Sequence, residues 1–110
     1  MIGNDVFINY NNWFDLKDDI VIGDGVAIAM NCQFVNGSHE IGGTEKRAGS
    51  GKQAPIVIGK GAWIGAGTMV LMGVTIGEGT IVGAGSLVLS DLEPNSIYVG
   101  RPAKLLRRIE

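Results

Sequence analysis

The sequence predicts an all-β solenoid in which short parallel strands wind around one hydrophobic core. The main observation is an aliphatic residue at every sixth position from residue 58 to residue 88. A helix would space apolar residues three and four apart, and a long strand would alternate them, so a period of six fits neither. Glycine supplies 18 of the 110 residues while 45% of the chain is hydrophobic, so the glycines belong to a packed fold.

Each six-residue unit reads as one short strand and one corner. An aliphatic side chain points inward, a small or β-branched residue stands two positions earlier, and glycine often follows. Three units bring the chain back above its starting point, with coils stacked about 4.8 Å apart by parallel hydrogen bonds. We expect the following glycine to supply a positive φ at the corner. The inward residues are Ile58, Ile64, Val70, Ile76, Val82 and Val88, and glycine follows at 59, 65, 77 and 83.

The same phase extends toward the start of the chain, so residues 1–110 are predicted to form a single β-helix domain. A two-residue slip is expected near Leu16–Asp19. The period does not determine the handedness of the coil. Parallel crossovers are right-handed in about 98% of sheets, and a six-residue pattern by itself does not overrule that preference. The earlier inward residues are Ile2, Ile8, Phe14, Ile22, Ile28 and Phe34.

One excursion, from about residue 37 to about residue 55, abandons the repeat. It is polar, rich in glycine and too long for an ordinary connection. A loop of this length in so economical a fold is expected to be either functional or disordered.

Charge and cysteine content exclude several function classes. The net charge is −2, and the dense basic cluster is confined to the tail, at Lys104, Arg107 and Arg108, so nucleic-acid binding is not expected. No apolar run is long enough to span a bilayer and no signal peptide is recognisable, so we expect a cytoplasmic protein without a membrane partner. Cys32 cannot form a disulfide within the chain, and a small buried or interface residue explains it better than a thiol nucleophile.

Several motifs resemble those of a known family. Residues 58–68 read IGKGAWIGAGT, and further on the chain contains GVTIG, VGAGS, DLEPNS and, at residues 99–104, VGRPAK. This pattern resembles the hexapeptide-repeat acyltransferases, in particular the galactoside, maltose and polysaccharide O-acetyltransferase branch, over nearly the whole chain. The resemblance implies a left-handed parallel β-helix, a homotrimer with active sites between subunits, and acetyl-CoA as co-substrate without a metal.

The resemblance also implies that His39, the only histidine, is the general base. A neutral imidazole can accept the proton of an attacking hydroxyl or amine, a role worth about 10²–10⁴ in rate. On its own, a lone histidine in a polar loop would be interpreted as a solvated residue without a role. One histidine per chain also does not supply, except on a trimer axis, the three-histidine site of the β-helical carbonic anhydrases, which share this fold.

The CoA site implied by the resemblance combines a backbone donor, small corner residues and a basic tail. The Ala66 N–H would stabilise the oxyanion, and Trp63, just before an inward residue, should face outward toward the CoA groove or a subunit contact. The corner glycines are also explained by the turn alone, and the tail could instead be an amphipathic cap in which Leu105, Leu106 and Ile109 cover the last coil. The cofactor-binding residues implied are Trp63, Gly65, Ala66, Ala84, Lys104 and Arg107.

The acceptor side departs from the family pattern. Asn9 aligns with an asparagine that binds the acceptor sugar, although a structural role at a corner is equally compatible with it. The acidic residue expected downstream is replaced by a shifted pattern, in which Asp15 is the candidate. Relatives often have a lysine where this chain has Ser90, which removes one potential phosphate contact.

The predicted function is therefore transfer of an acetyl group from acetyl-CoA to a hydroxyl or amine of a small sugar-like or xenobiotic acceptor. Two alternatives remain: a non-catalytic solenoid assembly module or truncated remnant, and an acyltransferase that uses an acyl carrier protein. The sequence begins inside a six-residue unit. We expect a neighbouring chain, a short irregular start or a dimer of trimers to shield that end of the solenoid.

Overall fold

The computed structural model describes residues 1–109 of the chain, and within this range all regular structure is β-strand. The predicted all-β class is confirmed. Most strands have two or three residues, as one strand per six-residue unit requires. The strands are β1 (Phe7–Ile8), β2 (Trp13–Phe14), β3 (Ile20–Ile22), β4 (Ala27–Ile28), β5 (Gln33–Val35), β6 (Gly37–Ile41), β7 (Ala48–Gln53), β8 (Ile56–Ile58), β9 (Trp63–Ile64), β10 (Met69–Leu71), β11 (Thr75–Ile76), β12 (Ile81–Val82), β13 (Leu87–Val88), β14 (Ser96–Gly100) and β15 (Ala103–Arg108).

Parallel pairing sorts the short strands into the three faces of a prism. The first face contains β3, β8 and β11, the second contains β1, β4, β9, β12 and β14, and the third contains β2, β5, β10 and β13. The chain passes from the first face to the second and then to the third in every coil. Consecutive strands therefore lie on different faces, and each strand pairs with strands of the neighbouring coils.

The core consists of the predicted inward residues stacked coil upon coil. Ile58, Ile64 and Val70 belong to one coil and are at most 1% exposed. Burying an aliphatic side chain of this size contributes roughly 1.5–3 kcal/mol. Two aromatic rings, Phe14 and Phe34, occupy the equivalent position in the first two coils and stack with their centroids 4.9 Å apart. The six-residue phase is confirmed.

Glycine occupies two positions of the repeat, for two different reasons. A Cβ on Gly59, which follows the inward Ile58, would lie 2.7 Å from the backbone nitrogen of Glu78 in the next coil. Coil-to-coil contact therefore excludes a side chain there. Positive φ values occur two residues later, so the expectation that the first glycine supplies them is wrong. The corner residues with positive φ are Asp5, Asn11, Gly25, Asn31, Gly61, Gly67, Gly73, Gly79, Gly85 and Asn95.

The length of the coil varies at both ends of the solenoid. In the regular part, residues that pair between neighbouring coils are 18 positions apart in the sequence, as Val70 and Val88 are. Across the first two coils the step is 20, as at Phe14 and Phe34, which confirms the two-residue slip predicted near residues 16–19. Across the last two coils the step falls to 16. This shortening was not predicted.

The excursion after β5 forms an antiparallel hairpin of β6 and β7. Asn36 is fully buried and anchors the base of the hairpin. Its side-chain Nδ2 donates to the Asp18 carbonyl at 2.6 Å, and its main-chain carbonyl accepts from the Ala54 N–H at 3.2 Å. These two bonds join the insertion of the first coil to both ends of the hairpin. The Asn36 Oδ1 is buried and accepts no hydrogen bond from residues 1–109.

The basic tail is a strand, which corrects the expectation of an amphipathic cap over the last coil. β15 pairs antiparallel with β14 at the end of the second face. Leu105 and Leu106 are 46% and 63% exposed, so they do not cover the core. Arg108 forms an ion pair with Glu93. Antiparallel pairing with β15 satisfies the backbone hydrogen-bonding groups at the edge of β14. Charged side chains on β15, which is now the edge strand, oppose pairing with a further strand.

The two glycine environments predict different substitution costs. Gly59→Ala should lower the free energy of unfolding by about 1–3 kcal/mol, because backbone of the next coil occupies the space. Gly51→Ala is the matched control: Gly51 lies on β7, its φ is not positive, and its Cβ would have no neighbour within 4 Å. We expect the control to change stability by no more than about 0.5 kcal/mol. Denaturant unfolding at one protein concentration measures both, and equal midpoints would contradict the coil-contact explanation.

Candidate functional site

His39 lies in the middle of β6, at the edge where the third face turns toward the first, and it is exposed. Its Nδ1 is 3.0 Å from the Gly49 carbonyl oxygen on the returning arm of the hairpin. A carbonyl oxygen only accepts, so Nδ1 is the protonated nitrogen that donates. In the neutral ring Nε2 then carries the free lone pair, which is the form that can accept a proton.

His39 opens onto a polar cleft of about 400 Å³ between the hairpin and the first coil. Asp15 lies in its wall, and the Oδ2 atom of Asp15 accepts a hydrogen bond from the Gly37 N–H at 3.2 Å. The structure therefore brings Asp15, one of the two acceptor candidates, to the cleft that contains His39. The lining residues are Asp15, Lys17, Gly37, Ser38, His39, Gly51, Lys52 and Gln53.

The structure does not bring Asn9, the other acceptor candidate, to this cleft. Asn9 follows β1, and its Oδ1 accepts a hydrogen bond from the Tyr10 N–H at 2.8 Å. This local bond favours the structural interpretation of Asn9 at a corner. A role for Asn9 in acceptor binding stays a prediction.

A second groove, largely apolar and about 320 Å³ in volume, lies on the opposite side of the hairpin. Its apolar wall contains Val35, Leu71 and Leu89, each directly after an inward residue of the third face. This groove was not predicted from the sequence. The signal was present, because the same position on the other faces is usually glycine. Met72, Gly37, Ser38 and Lys52 complete the lining.

Two of the CoA candidates lie on one row of the second face. Trp63 on β9 faces outward and is 55% exposed, as its position before an inward residue predicted. Strand register places Trp63 beside Ile81, Ile81 beside Ile97, and Ile97 beside Arg107. Lys104 lies opposite Val99 on the same strand pair. Trp63 and the basic tail therefore share one outer surface.

The remaining CoA candidates lie at the edge between the second and third faces. The Ala66 N–H has no acceptor among residues 1–109, and Ala84 occupies the same corner in the next coil, where it is exposed. Gly65 is explained by packing, because a Cβ there would lie 2.6 Å from the Ala84 backbone nitrogen. A free N–H at a corner is a suitable donor for an oxyanion.

These two groups of candidates occupy different edges of the prism. The hairpin with His39 leaves at the edge between the third and first faces, whereas Ala66 and Ala84 follow second-face strands. Trp63 lies on the second face itself. Within one chain the structure therefore does not bring His39 to the CoA candidates, and a site that uses both must draw on two chains.

Cys32 is fully buried in the core. Burial raises the pKa of its thiol, outweighing hydrogen bonds from the backbone of Thr68 and Gly67 that lower it. The Sγ atom lies 3.3 Å from the Gly65 carbonyl oxygen. A buried thiol with a raised pKa is a poor nucleophile, which agrees with the interpretation of Cys32 as a packing residue.

Residues 1–109 contain neither a candidate metal cluster nor a membrane-spanning helix. No group of three or more His, Cys, Asp or Glu side chains is placed to hold a metal ion. No helix in this part of the chain is long and apolar enough to cross a membrane.

Comparisons with known proteins agree with this architecture. The family described as Bacterial transferase hexapeptide (six repeats) matches residues 55–90. Nodulation protein L of Rhizobium meliloti is 40% identical over 104 residues, which make up 94% of this chain and 57% of that protein.

Solved structures give the same result. A hexapeptide-repeat-containing acetyltransferase from Vibrio cholerae has a TM-score of 0.93 at 37% identity and covers 99% of this chain and 62% of its own. A maltose O-acetyltransferase from Clostridium difficile 630 has a TM-score of 0.92 at 37% identity, covering 99% of this chain and 58% of its own. The Vibrio protein in complex with acetyl coenzyme A has a TM-score of 0.81 at 26% identity, covering 99% of this chain and 70% of its own.

The chain spans about half the length of the curated relatives it matches, 57% in the case of the nodulation protein. The similarity nevertheless runs through nearly every coil, and the six-residue winding coincides with that of the solved structures. The chain therefore belongs to the hexapeptide-repeat acyltransferase family, and its fold is the left-handed parallel β-helix of that family.

Proposed function

We propose that the protein transfers an acetyl group from acetyl-CoA to a hydroxyl or amine of a small sugar-like acceptor, with His39 as general base. The observation that carries the proposal is the hydrogen bond from His39 Nδ1 to the Gly49 carbonyl, which leaves Nε2 available beside a polar cleft. The family supports the reaction type, since a maltose O-acetyltransferase and an acetyltransferase crystallised with acetyl coenzyme A share this fold.

The chemistry proceeds by direct transfer. The acceptor oxygen or nitrogen attacks the thioester carbonyl carbon while His39 Nε2 takes the acceptor proton. The carbonyl oxygen becomes an oxyanion, which the Ala66 N–H of a neighbouring chain stabilises. The carbon–sulfur bond then breaks, and the proton held by His39 passes to the leaving CoA thiolate. The Gly49 carbonyl favours the imidazolium formed during the step, because it accepts from Nδ1–H throughout.

On the donor side, we assign the adenine nucleotide end of CoA to the outer surface of the second face. Lys104 and Arg107 offer cationic partners for its phosphates, and Trp63 on the same face offers an aromatic surface. The exposed corner at Ala84 lets the pantetheine arm lie close to the backbone, because Ala84 carries only a methyl group and its neighbours are glycines.

The separation of the two groups of candidates supports assembly into a homotrimer, in which a site can draw on two chains. A row of apolar outward residues crosses the second face, and Phe7 and Trp63 in it are 60% and 55% exposed. Exposed apolar surface of this kind indicates an interface, and a three-sided prism suits three-fold association. The hairpin of one chain would then meet the corner of its neighbour. The row consists of Phe7, Ala27, Trp63, Ile81 and Ile97.

A reducing compartment, which we expect to be the cytoplasm, agrees with the free buried thiol of Cys32.

Replacing the base tests its role. His39→Ala should lower kcat at least about 10²-fold and leave the KM for acetyl-CoA within about twofold, because the ring acts on the acceptor proton. Glu40→Gln is the matched control on the same strand and should retain activity. Initial rates of CoA release with a panel of sugars measure both. Undiminished turnover by His39→Ala would remove His39 from the mechanism.

Mixing two inactive variants tests whether the site is shared. His39→Ala lacks the base, and Ala84→Trp blocks the exposed corner without disturbing the core. In randomly mixed trimers, about one quarter of the sites combine an intact His39 with an intact neighbouring corner, so about a quarter of the activity should return. The mixture is prepared by co-expression or by unfolding and refolding together. No recovery, with both variants trimeric, would place the complete site within one chain.

Binding of the donor distinguishes the proposal from its alternatives. Acetyl-CoA at 100 times its Kd should stabilise the folded protein by about 2.7 kcal/mol, measured as a rise in Tm. The double variant Lys104→Glu, Arg107→Glu should lose most of this rise at the same concentration, whereas Lys46→Glu at the hairpin tip should retain it. Absence of any rise in the unsubstituted protein would favour a carrier-protein substrate, which acyl carrier protein tests directly, or a non-catalytic module.

A further inference from the structure

We propose that the cleft beside His39 selects acceptors that carry an anionic group, a carboxylate or a phosphate, and that Lys17 recognises this group. The inference rests on the proposed acetyl transfer and names the acceptor class for that same site.

The side chain of Lys17 lies over the backbone of Gly37. A Cβ on Gly37 would lie 2.8 Å from Lys17 Cγ and 3.3 Å from Lys17 Cβ. The aliphatic stem of Lys17 therefore lies across the glycine that begins β6. Gly37 and His39 are two residues apart on one strand, so they present the same side of it. Lys17 thus lies on the side of β6 from which the His39 ring projects.

The Lys17 ammonium has no carboxylate within 4.0 Å in the part of the chain that the structure describes, where the ion pairs are Lys52–Glu40 and Arg108–Glu93. Asp15, in the same wall of the cleft, already accepts the Gly37 N–H. The Lys17 ammonium is therefore unpaired, while the Asp15 carboxylate is bound to the backbone, so this wall of the cleft can bind an anion through Lys17.

Lys52 does not add a second cation on this side of the hairpin. It pairs with Ser38 across the hairpin, so its side chain lies on the face opposite Gly37 and His39. Its Nζ is 3.9 Å from Glu40 Oε2, which lies on that same opposite face. Lys17 is therefore the ammonium group on the side of β6 that carries the His39 ring.

The spacing suggests the size of the acceptor. Gly37 and His39 are separated by two residues of strand, about 7 Å. An anion bound by Lys17 over Gly37 would therefore lie roughly one sugar ring away from the atom that gives its proton to His39. A hexuronic acid and a hexose phosphate both have this chemistry, and the experiment distinguishes them.

Matched acceptors provide the test: a hexose, the corresponding hexuronate and the hexose 6-phosphate. At low salt we expect at least one of the two anionic sugars to exceed the neutral hexose in kcat/KM by about tenfold, and added salt to reduce this preference. Lys17→Gln should bring the ratio near unity while leaving kcat/KM for the neutral hexose and the KM for acetyl-CoA unchanged. Lys17→Arg should retain the preference, as should Lys46→Gln at the hairpin tip.

Three results would overturn the inference and leave acetyl transfer standing: no preference of the unsubstituted protein for either anionic sugar, an equal loss with neutral and anionic sugars in Lys17→Gln, or a raised KM for acetyl-CoA in that variant. The last result would assign Lys17 to the donor phosphates. Absence of His39-dependent transfer to any acceptor would instead remove the proposed function, and the inference with it. A preference for the hexuronate identifies a carboxylate ligand, and one for the hexose 6-phosphate identifies a phosphate ligand.

Discussion

Stacking of identical positions in successive coils is the constraint on which this structure depends. Each inward side chain rests on the equivalent residue one coil away, as Val70 rests beside Phe34 and Val88. Backbone hydrogen bonds join the same pairs of coils, so burial and hydrogen bonding reinforce each other at every step. Because the coils approach so closely, glycine is required wherever a Cβ would meet backbone, and functional side chains are confined to the outer faces, the edges and one excursion.

The hairpin concentrates polar groups at one edge of the prism. Its base is held by Asn36, whose side chain reaches the inserted residues of the first coil, and its two sides border two different clefts. The polar cleft contains His39, Asp15 and Lys17, while the other groove is lined by apolar residues of the third face. The first coil and the hairpin thus act together, because the first coil supplies the carboxylate of Asp15 and the ammonium of Lys17 and the hairpin supplies the imidazole of His39.

Several features were predictable because they depend on local pattern alone. The inward phase, the outward orientation of Trp63 and the extent of the excursion follow from the six-residue period. The positive φ positions were assigned wrongly, because glycine can serve either a left-handed backbone or a close contact and composition does not distinguish them. The interpretation of the tail as an amphipathic cap was wrong: mixed basic and leucine residues suit a cap or a strand, and pairing with the edge of β14 makes the tail a strand.

The sequence by itself determined the winding, the core and the single imidazole, since the repeat and the histidine can be identified without knowing which coils are neighbours. Only the tertiary structure decided which residues accompany His39. Asp15 and Lys17 lie more than twenty positions before it in the chain, and they reach it because an insertion in one coil lies beside a hairpin leaving the next. Such proximity depends on which segments of neighbouring coils lie side by side. The repeat shows where the first coil is two residues longer, but it does not show that the hairpin leaving the next coil lies beside that segment.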